Sequence, residues 1–367
     1  MRRAREAHGY VAPVGPEEGT DPGEGRLVAW LQAQGVSDRA IADARRRGDL
    51  GPNLATDRLI RAEPTISVTE AAVAIEESPD RVAQVLTALG LAPDNTSDPT
   101  LTESEVDVVR TFMAAREVFG EREITHFARG LGHAMRLVAE AANEMFMAEM
   151  ETPHITGGGD LPDLGEKVHS SIAMLEVAMG HFPTLLRAHL VRSLAMSRSA
   201  RRTGGGVDRL LLVVGFVDLA GFTAATEEAE PTAVLDLALD FASAANDTVG
   251  GVGGRVVKMI GDEVMFTTLD GNAACDAALG LLRWAAELDA PIGARGGLAL
   301  GPVIAHGCDH YGAVVNRAAR LVQAASTGEL LLDEAVAADT TRHVARAAGE
   351  RDLKGFSHPL ATWSLRA

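Results

Sequence analysis

Two aspartates placed where strands end constrain this chain more than any other feature. Leu211-Leu-Val-Val-Gly-Phe-Val-Asp218 is an apolar run long enough for a buried strand, and it ends on a carboxylate. The tight segment Leu219-Ala220-Gly221-Phe222-Thr223 follows at once. Further on, Arg255-Val-Val-Lys258-Met-Ile-Gly261-Asp262-Glu263-Val-Met-Phe-Thr-Thr reads as two short apolar strands about a Gly-Asp turn, a hairpin signal. Laid side by side, strand and hairpin bring Asp218 and Asp262 to one rim of a sheet. Two hard oxygen ligands there suit Mg²⁺ or Mn²⁺ next to a phosphate.

Charge excludes one class of partner for such a site. The 367 residues suffice for two domains with separate cores. Residues 1–206 carry 22 Lys+Arg against 30 Asp+Glu, and residues 207–367 carry 12 against 21, so both parts are acidic within a total of −17. A nucleic-acid binder needs a basic surplus, and neither part has one. The two cysteines, Cys275 and Cys308, make no disulfide framework and suit a reducing compartment. Met1-Arg-Arg-Ala-Arg is followed by no apolar stretch, and no run approaches a membrane span. The expectation is a cytoplasmic protein that is not integral to a membrane.

The first part has helical periodicity throughout. Residues 1–25, rich in Gly, Pro and Glu, read as a flexible arm, and 26–196 as an all-helical regulatory domain. Ser67-Val-Thr-Glu70 and Thr102-Glu-Ser-Glu105 have capping-box spacing, and Ser78-Pro79-Asp80 starts a helix that Gly90 stops. The pair of helices from Ser67 to Leu89 has the outline of a helix-turn-helix. The second helix offers only Arg81 and Gln84 to a groove, so simple hairpin packing is the preferred reading. Ile124–Met150 and Leu164–Met196 read as two long helices whose Leu, Phe and Met stripes are core or a dimer seam, with a lipid-sized pocket between them as the rival. His8, His126, His133, His154, His169, His181 and His189 lie in this half, and histidine titrates near neutral pH.

Residues 197–206, a basic run followed by Thr203-Gly-Gly-Gly206, read as a linker, after which strand and helix alternate. Helices are predicted over Pro231–Val249, Asn272–Leu288 and Ala313–Ala325. Strands are predicted within Gly296–Ala305, over Glu329–Leu332 and over Ala361–Leu365. This β-α-β-β-α-β order with additions predicts an α+β domain, ferredoxin-like, with helices on one face of its sheet. His306-Gly-Cys308-Asp-His310 offers only three N/S ligands where a closed zinc site wants four, so it reads as a loop that places Asp309.

Three segments together, Phe216-Val-Asp218-Leu-Ala-Gly-Phe-Thr223, Lys258-Met-Ile-Gly-Asp262-Glu and Asp309-His-Tyr-Gly312-Ala-Val-Val-Asn316-Arg-Ala-Ala-Arg320, resemble the catalytic domain of class III adenylyl cyclases over roughly residues 207–367. The resemblance implies conversion of ATP to 3′,5′-cyclic AMP and pyrophosphate with two divalent cations, Mg²⁺ or Mn²⁺. It implies Asp218 and Asp262 as metal ligands, and Lys258 and Asp309 as the pair that reads adenine. Asn316 would orient the ribose, and Arg320 would stabilise charge on the phosphoryl group. Leu219, Ala220, Gly221, Phe222 and Thr223 would offer backbone N–H groups to phosphate, and Lys354, in Leu-Lys-Gly, would meet the triphosphate. Because every element occurs once, it implies a homodimer with two composite sites.

The helical part, through Leu27-Val-Ala-Trp-Leu-Gln-Ala-Gln-Gly35 and the Ser67–Leu91 helix pair, resembles the autoinhibitory domain of pH-responsive actinobacterial adenylyl cyclases. That resemblance implies a pH switch released in acid, and a fatty-acid ligand. The rival expectation is a catalytically silent cyclase-like domain that binds nucleotide and signals through the helical part. Retention of Asp218, Asp262, Asn316 and Arg320 together speaks against it.

Overall fold

The computed structural model describes residues 22–51, 53–159, 161–202, 209–222, 230–288, 291–307 and 309–366. Most of the expected arm and the Thr203–Gly206 joint lie outside the described residues. The chain divides into two compact units, Met1–Leu185 and Leu186–Ala367.

In the first unit, α1 (Pro22–Ala33), α2 (Asp38–Arg47) and α3 (Asn53–Ile60) close over Leu27, Leu31, Val36, Ile41 and Ala55. Next come β1 (Ile66–Ser67), α4 (Val68–Ala74), α5 (Pro79–Ala88), β2 (Pro99–Leu101) and α6 (Glu103–Phe119), which share a second core with Val68, Val82, Leu86, Leu101 and Val109. Both capping boxes form: Ser67 caps Glu70 N–H and Thr102 caps Glu105 N–H, each with the reciprocal glutamate bond. A short strand pair, Ile66 opposite Leu101, is added to the helical expectation. The long α7 (Glu121–Phe146) continues through a π-helical turn, Met147–Glu151. It lies across α5 so closely that a Cβ on Gly132 would stand 2.4 Å from the Leu89 carbonyl oxygen. Arg81, the cation that α5 would offer to a groove, is tied to Glu77 at 3.3 Å.

The helix expected over Leu164–Met196 is two helices, α8 (Leu161–Gly180) and α9 (Phe182–Arg202). Gly180 weakens the helix and Pro183 supplies no N–H for the ladder, so the break falls at His181. Helix α9 is continuous through Ser197 to Arg202, and its Met196 and Ala200 belong to the core of the second unit.

That second unit is built on β3 (Leu210–Ala220), β4 (Arg255–Ile260), β5 (Glu263–Thr268), β6 (Gly293–His306), β7 (Asp309–Tyr311), β8 (Glu329–Leu332), β9 (Arg346–Arg351) and β10 (Leu360–Arg366). The sheet order is β4-β5-β3-β6-β8-β10-β9, with β7 paired to β6. All its pairings are antiparallel except β6–β8. Central β3 is apolar on both sides because both faces are covered, which corrects the expectation of helices on one face. On one side Val213, Val217, Val264 and Phe266 pack against α10 (Pro231–Gly251) and α11 (Gly271–Ala286). On the other, Val214, Phe216, Met265 and Ala299 pack against α12 (Ala313–Ala324) and the end of α9. Gly297 lets α12 come close, since a Cβ there would lie 2.3 Å from the Val322 backbone nitrogen. A short α13 (Glu334–Asp339) follows β8.

Candidate active site

Side-chain alternation along the strands sorts the expected residues onto one face. In β3, Val214 and Phe216 face α12, so Asp218, two further on, does too. Asp218 pairs across the sheet with Glu263 of β5 and with Arg295 of β6. Arg295 donates from Nε at 2.8 Å and from Nη2 at 2.7 Å to Asp218 Oδ2. Asp262 sits in the β4–β5 turn, where Gly261 takes φ 64°, a left-handed value that suits glycine. The Asp262 carbonyl accepts the N–H of Leu219 at 3.1 Å, so the turn and the end of β3 are joined directly.

These groups press on one another electrically. Burial pushes the Asp218 carboxyl above its ordinary range, Arg295 pulls it back, and the charge of Asp262 adds to the rise. Glu263 is pushed up to about 7 by burial first, then by Asp218 and Asp262, against the pull of Arg295. Three carboxylates against one guanidinium leave the rim short of positive charge, and their hard oxygens match Mg²⁺ or Mn²⁺. Asp218 and Asp262 therefore fit a divalent cation. Among the described residues no group of three or more His, Cys, Asp or Glu side chains is arranged to hold a metal ion.

Lys258 reaches the α12 face through an irregularity. Val256 opposes Phe266 and Lys258 opposes Met265, with a register shift between them. This β-bulge puts Val257 and Lys258 on the same side, whereas strict alternation from Val256 would have turned Lys258 to the α10–α11 side. Lys258 Nζ donates to Asp309 Oδ2 at 2.5 Å, and Asp309 Oδ1 accepts the His310 N–H at 2.8 Å. Burial works to raise Asp309, but Lys258 and the His310 N–H outweigh it and hold the carboxyl below its usual range. Asp309 stands on β7, the strand found where a loop was expected. Asn316 and Arg320 lie on α12, Asn316 exposed, and Arg320 donates to Gln323 at 2.6 Å.

The remaining expected residues separate. The Leu219 side chain is core and its N–H is spent on Asp262, so it has no donor left for phosphate. Ala220 ends β3, Gly221 follows with φ 90°, and Phe222 packs on the core. Thr223 lies outside the described residues. Lys354 is exposed on a turn anchored by buried Leu353, and no hydrogen bond or ion pair joins it to the other site residues among those described.

No protein-family model matches the sequence. An uncharacterized protein of Mycobacterium tuberculosis is 33% identical over 345 residues, 92% of this chain and 89% of that protein. The adenylate cyclase of Streptomyces coelicolor is 26% identical over 340 residues, 91% of this chain and 81% of that enzyme. The chain belongs to the class III adenylyl cyclase family. A third relative, the adenylate cyclase of Glutamicibacter nicotianae, is 34% identical over 143 residues, 39% of this chain and 35% of that enzyme. Among solved structures, the adenylyl cyclase CyaB from P. aeruginosa is 26% identical, with 43% of this chain and 95% of that one covered at a TM-score of 0.38.

Two residues of this class III cyclase escaped the sequence reading. Glu263 follows Asp262 directly in the hairpin, and Arg295 sits among glycines one residue before the strand expected from Gly296. The signal for both is cross-strand register: once Asp218 is paired, its neighbours on either side are Glu263 and Arg295.

Proposed function

We propose that the chain is an adenylyl cyclase acting as a homodimer. The ribose 3′-oxygen of ATP bonds to the α-phosphorus, the bond from that phosphorus to the bridging β-phosphate oxygen breaks, and pyrophosphate leaves while the 3′-hydroxyl proton passes to solvent. Such a transfer depends on positioning and charge neutralisation. Two divalent cations, held by Asp218 and Asp262, would supply Lewis-acid assistance and offset phosphate charge. Taking up Asp218 as a ligand would release Arg295, whose guanidinium is then free for a phosphate oxygen. Lys258 donates to a ring nitrogen of adenine and Asp309 accepts from its exocyclic amine. Asn316 orients the ribose, and Arg320 meets the charge that grows on the phosphoryl group. Ala220 and Gly221 remain the candidates for phosphate contact at the end of β3.

The observation that carries the reading is the Lys258–Asp309 pair, preset at 2.5 Å with both Asp309 oxygens occupied. A donor and an acceptor side by side match adenine, whereas guanine presents the opposite pattern there. The deciding experiment measures cyclic AMP from ATP and cyclic GMP from GTP with Mg²⁺ or Mn²⁺. Cyclic AMP in excess is expected, and cyclic GMP in excess would refute the assignment. The Arg295–Asp218 ion pair favours a second reading, a silent nucleotide binder, which ATP binding without any cyclic product would establish.

Regulation by the helical unit belongs to the same proposal. His133 Nδ1 stands 3.2 Å from Arg136 Nη2, and His154 Nδ1 stands 3.2 Å from Lys167 Nζ. More cyclic AMP is expected at about pH 6 than at about pH 8 in the full chain, and equal rates in a piece starting at Leu186. Matching pH profiles of the two would remove the sensor role. An open apolar hollow of about 410 Å³ lies between α6 and α7, lined by Phe112, Phe119, Ile124 and Phe127, rather than between the two long helices, and an acyl chain suits it.

A further inference from the structure

Asn316 and Arg320 can act only if α12 is held at one rotation, and its apolar contacts do not fix that rotation by themselves. Val314, Ala318, Leu321 and Val322 pack on the sheet, with Gly297 beneath them. Apolar contact is by itself non-directional. A polar tie supplies the missing direction. Arg317, next after Asn316 on the helix, donates from Nη1 to Asp333 Oδ2 at 2.9 Å.

Asp333 is itself fixed from several sides and is only 5% exposed. Its Oδ1 accepts the Val336 N–H at 3.0 Å, capping α13, and the Leu300 N–H of β6 at 3.4 Å. Its own N–H donates to the Leu298 carbonyl at 3.0 Å. We propose that Arg317 and Asp333 are positioning residues, a half-buried ion pair that registers α12 against β6 and so aims Asn316 and Arg320. The inference rests on the cyclase reading above.

The pair is half-buried, with the Arg317 side chain 30% exposed and that of Asp333 7%. A pair of this kind adds modest net stability, while its hydrogen-bond geometry is restrictive, and it is that geometry which would aim α12.

The test uses the full chain with the double substitution Arg317→Met/Asp333→Asn, which removes both charges together, and with Arg317→Lys and Arg317→Met alone. For the double variant the expectation is a Tm near wild type and a KM for ATP within about twofold, with kcat lower by roughly 10- to 100-fold. Arg317→Lys, which still pairs, should keep more activity than Arg317→Met. An unchanged kcat in the folded double variant, or a Lys variant no better than Met, overturns the proposal. Should the double variant fold poorly, Asp333→Asn alone, which can still cap α13, takes its place: a lower Tm is expected, with the same fall in kcat at a KM within about twofold, and an unchanged kcat overturns the proposal.

Crystal structures of wild type and variant give a readout independent of activity. A rotated α12 supports the role, and an unmoved helix refutes it. A wild-type chain that forms no cyclic nucleotide defeats the functional reading alone, because the rotation of α12 is still measured.

Discussion

The two units solve the same burial problem to different degrees. In Leu186–Ala367 both faces of the sheet are covered, and the polar groups that matter are held by pairs: Asp218 with Arg295, Lys258 with Asp309, Arg317 with Asp333. In Met1–Leu185 the capped helices between Ile66 and Met113 have a closed core, and Leu164, Val168 and Ile172 are buried where the long helices meet Phe146, but much of the α7 stripe is open. Met145 is 63% exposed, Phe127 61%, Met135 47% and Val138 43%. The stripes expected as core or dimer seam are therefore not core in a single chain at these positions. One unit carries a site already set by side-chain pairs, and the other carries apolar surface that a single chain leaves open.

The strongest way to break this comparison is to remove Asp218, proposed above as a metal ligand. Asp218→Ala should lower cyclic AMP formation by on the order of 10²–10³-fold, since charge neutralisation at the phosphate is the main catalytic contribution. Arg320→Ala should do the same from the other half of the site. Co-refolding the two inactive chains should restore activity to about a quarter of wild type, because half the dimers are mixed and each mixed dimer has one intact site. No recovery at all would sink the shared-site arrangement.

A subtler substitution tests the closeness of α12 to its sheet. Gly297→Ala would drive a methyl group into the Val322 nitrogen and the Ala318 carbonyl, 2.3 and 2.6 Å away. Thermal unfolding should report a loss of about 1–3 kcal/mol, with kcat falling as the helix is displaced. Wild-type stability and rate together would mean that the contact is looser than it stands here.

The smallest effect belongs to the first unit. Burial acts to raise Glu105, but Arg61 and the Thr102 N–H outweigh it and hold the carboxyl below its ordinary range. A depressed carboxylate stabilises above its unfolded pKa and loses that contribution as pH falls through the folded one. Arg61→Ala should therefore raise the midpoint of acid unfolding followed by circular dichroism. The pair is solvent-exposed on the Arg61 side, so the change is about 0.5–1 kcal/mol or less at neutral pH. An unmoved acid midpoint would show that the bridge does not contribute.

Local signals were legible wherever the chemistry is local. Both capping boxes, the Ser78-Pro79 helix start and the Gly261-Asp262 hairpin formed as read, because caps and turns depend on residues a few positions apart. The helices from Pro231, Asn272 and Ala313 were equally plain. The break at His181 was missed because continuous apolar spacing hid what Gly180 and Pro183 do to a hydrogen-bond ladder. Strands β7 and β9 were missed too. Asp309-His-Tyr311 is too short to show a period, and Arg346–Arg351 is an edge strand with little apolar content.

The sequence by itself determined which residues could do cyclase chemistry and that the chain has two parts, since residue types and spacing are properties of the string. Only the tertiary structure decided which side each one faces. The bulge at Val257 turns Lys258 toward Asp309, the register of β3 sets Asp218 between Glu263 and Arg295, and Asp333 catches Arg317 from across the fold. A one-residue shift of register reverses every side chain of a strand, and long-range pairing alone fixes that register.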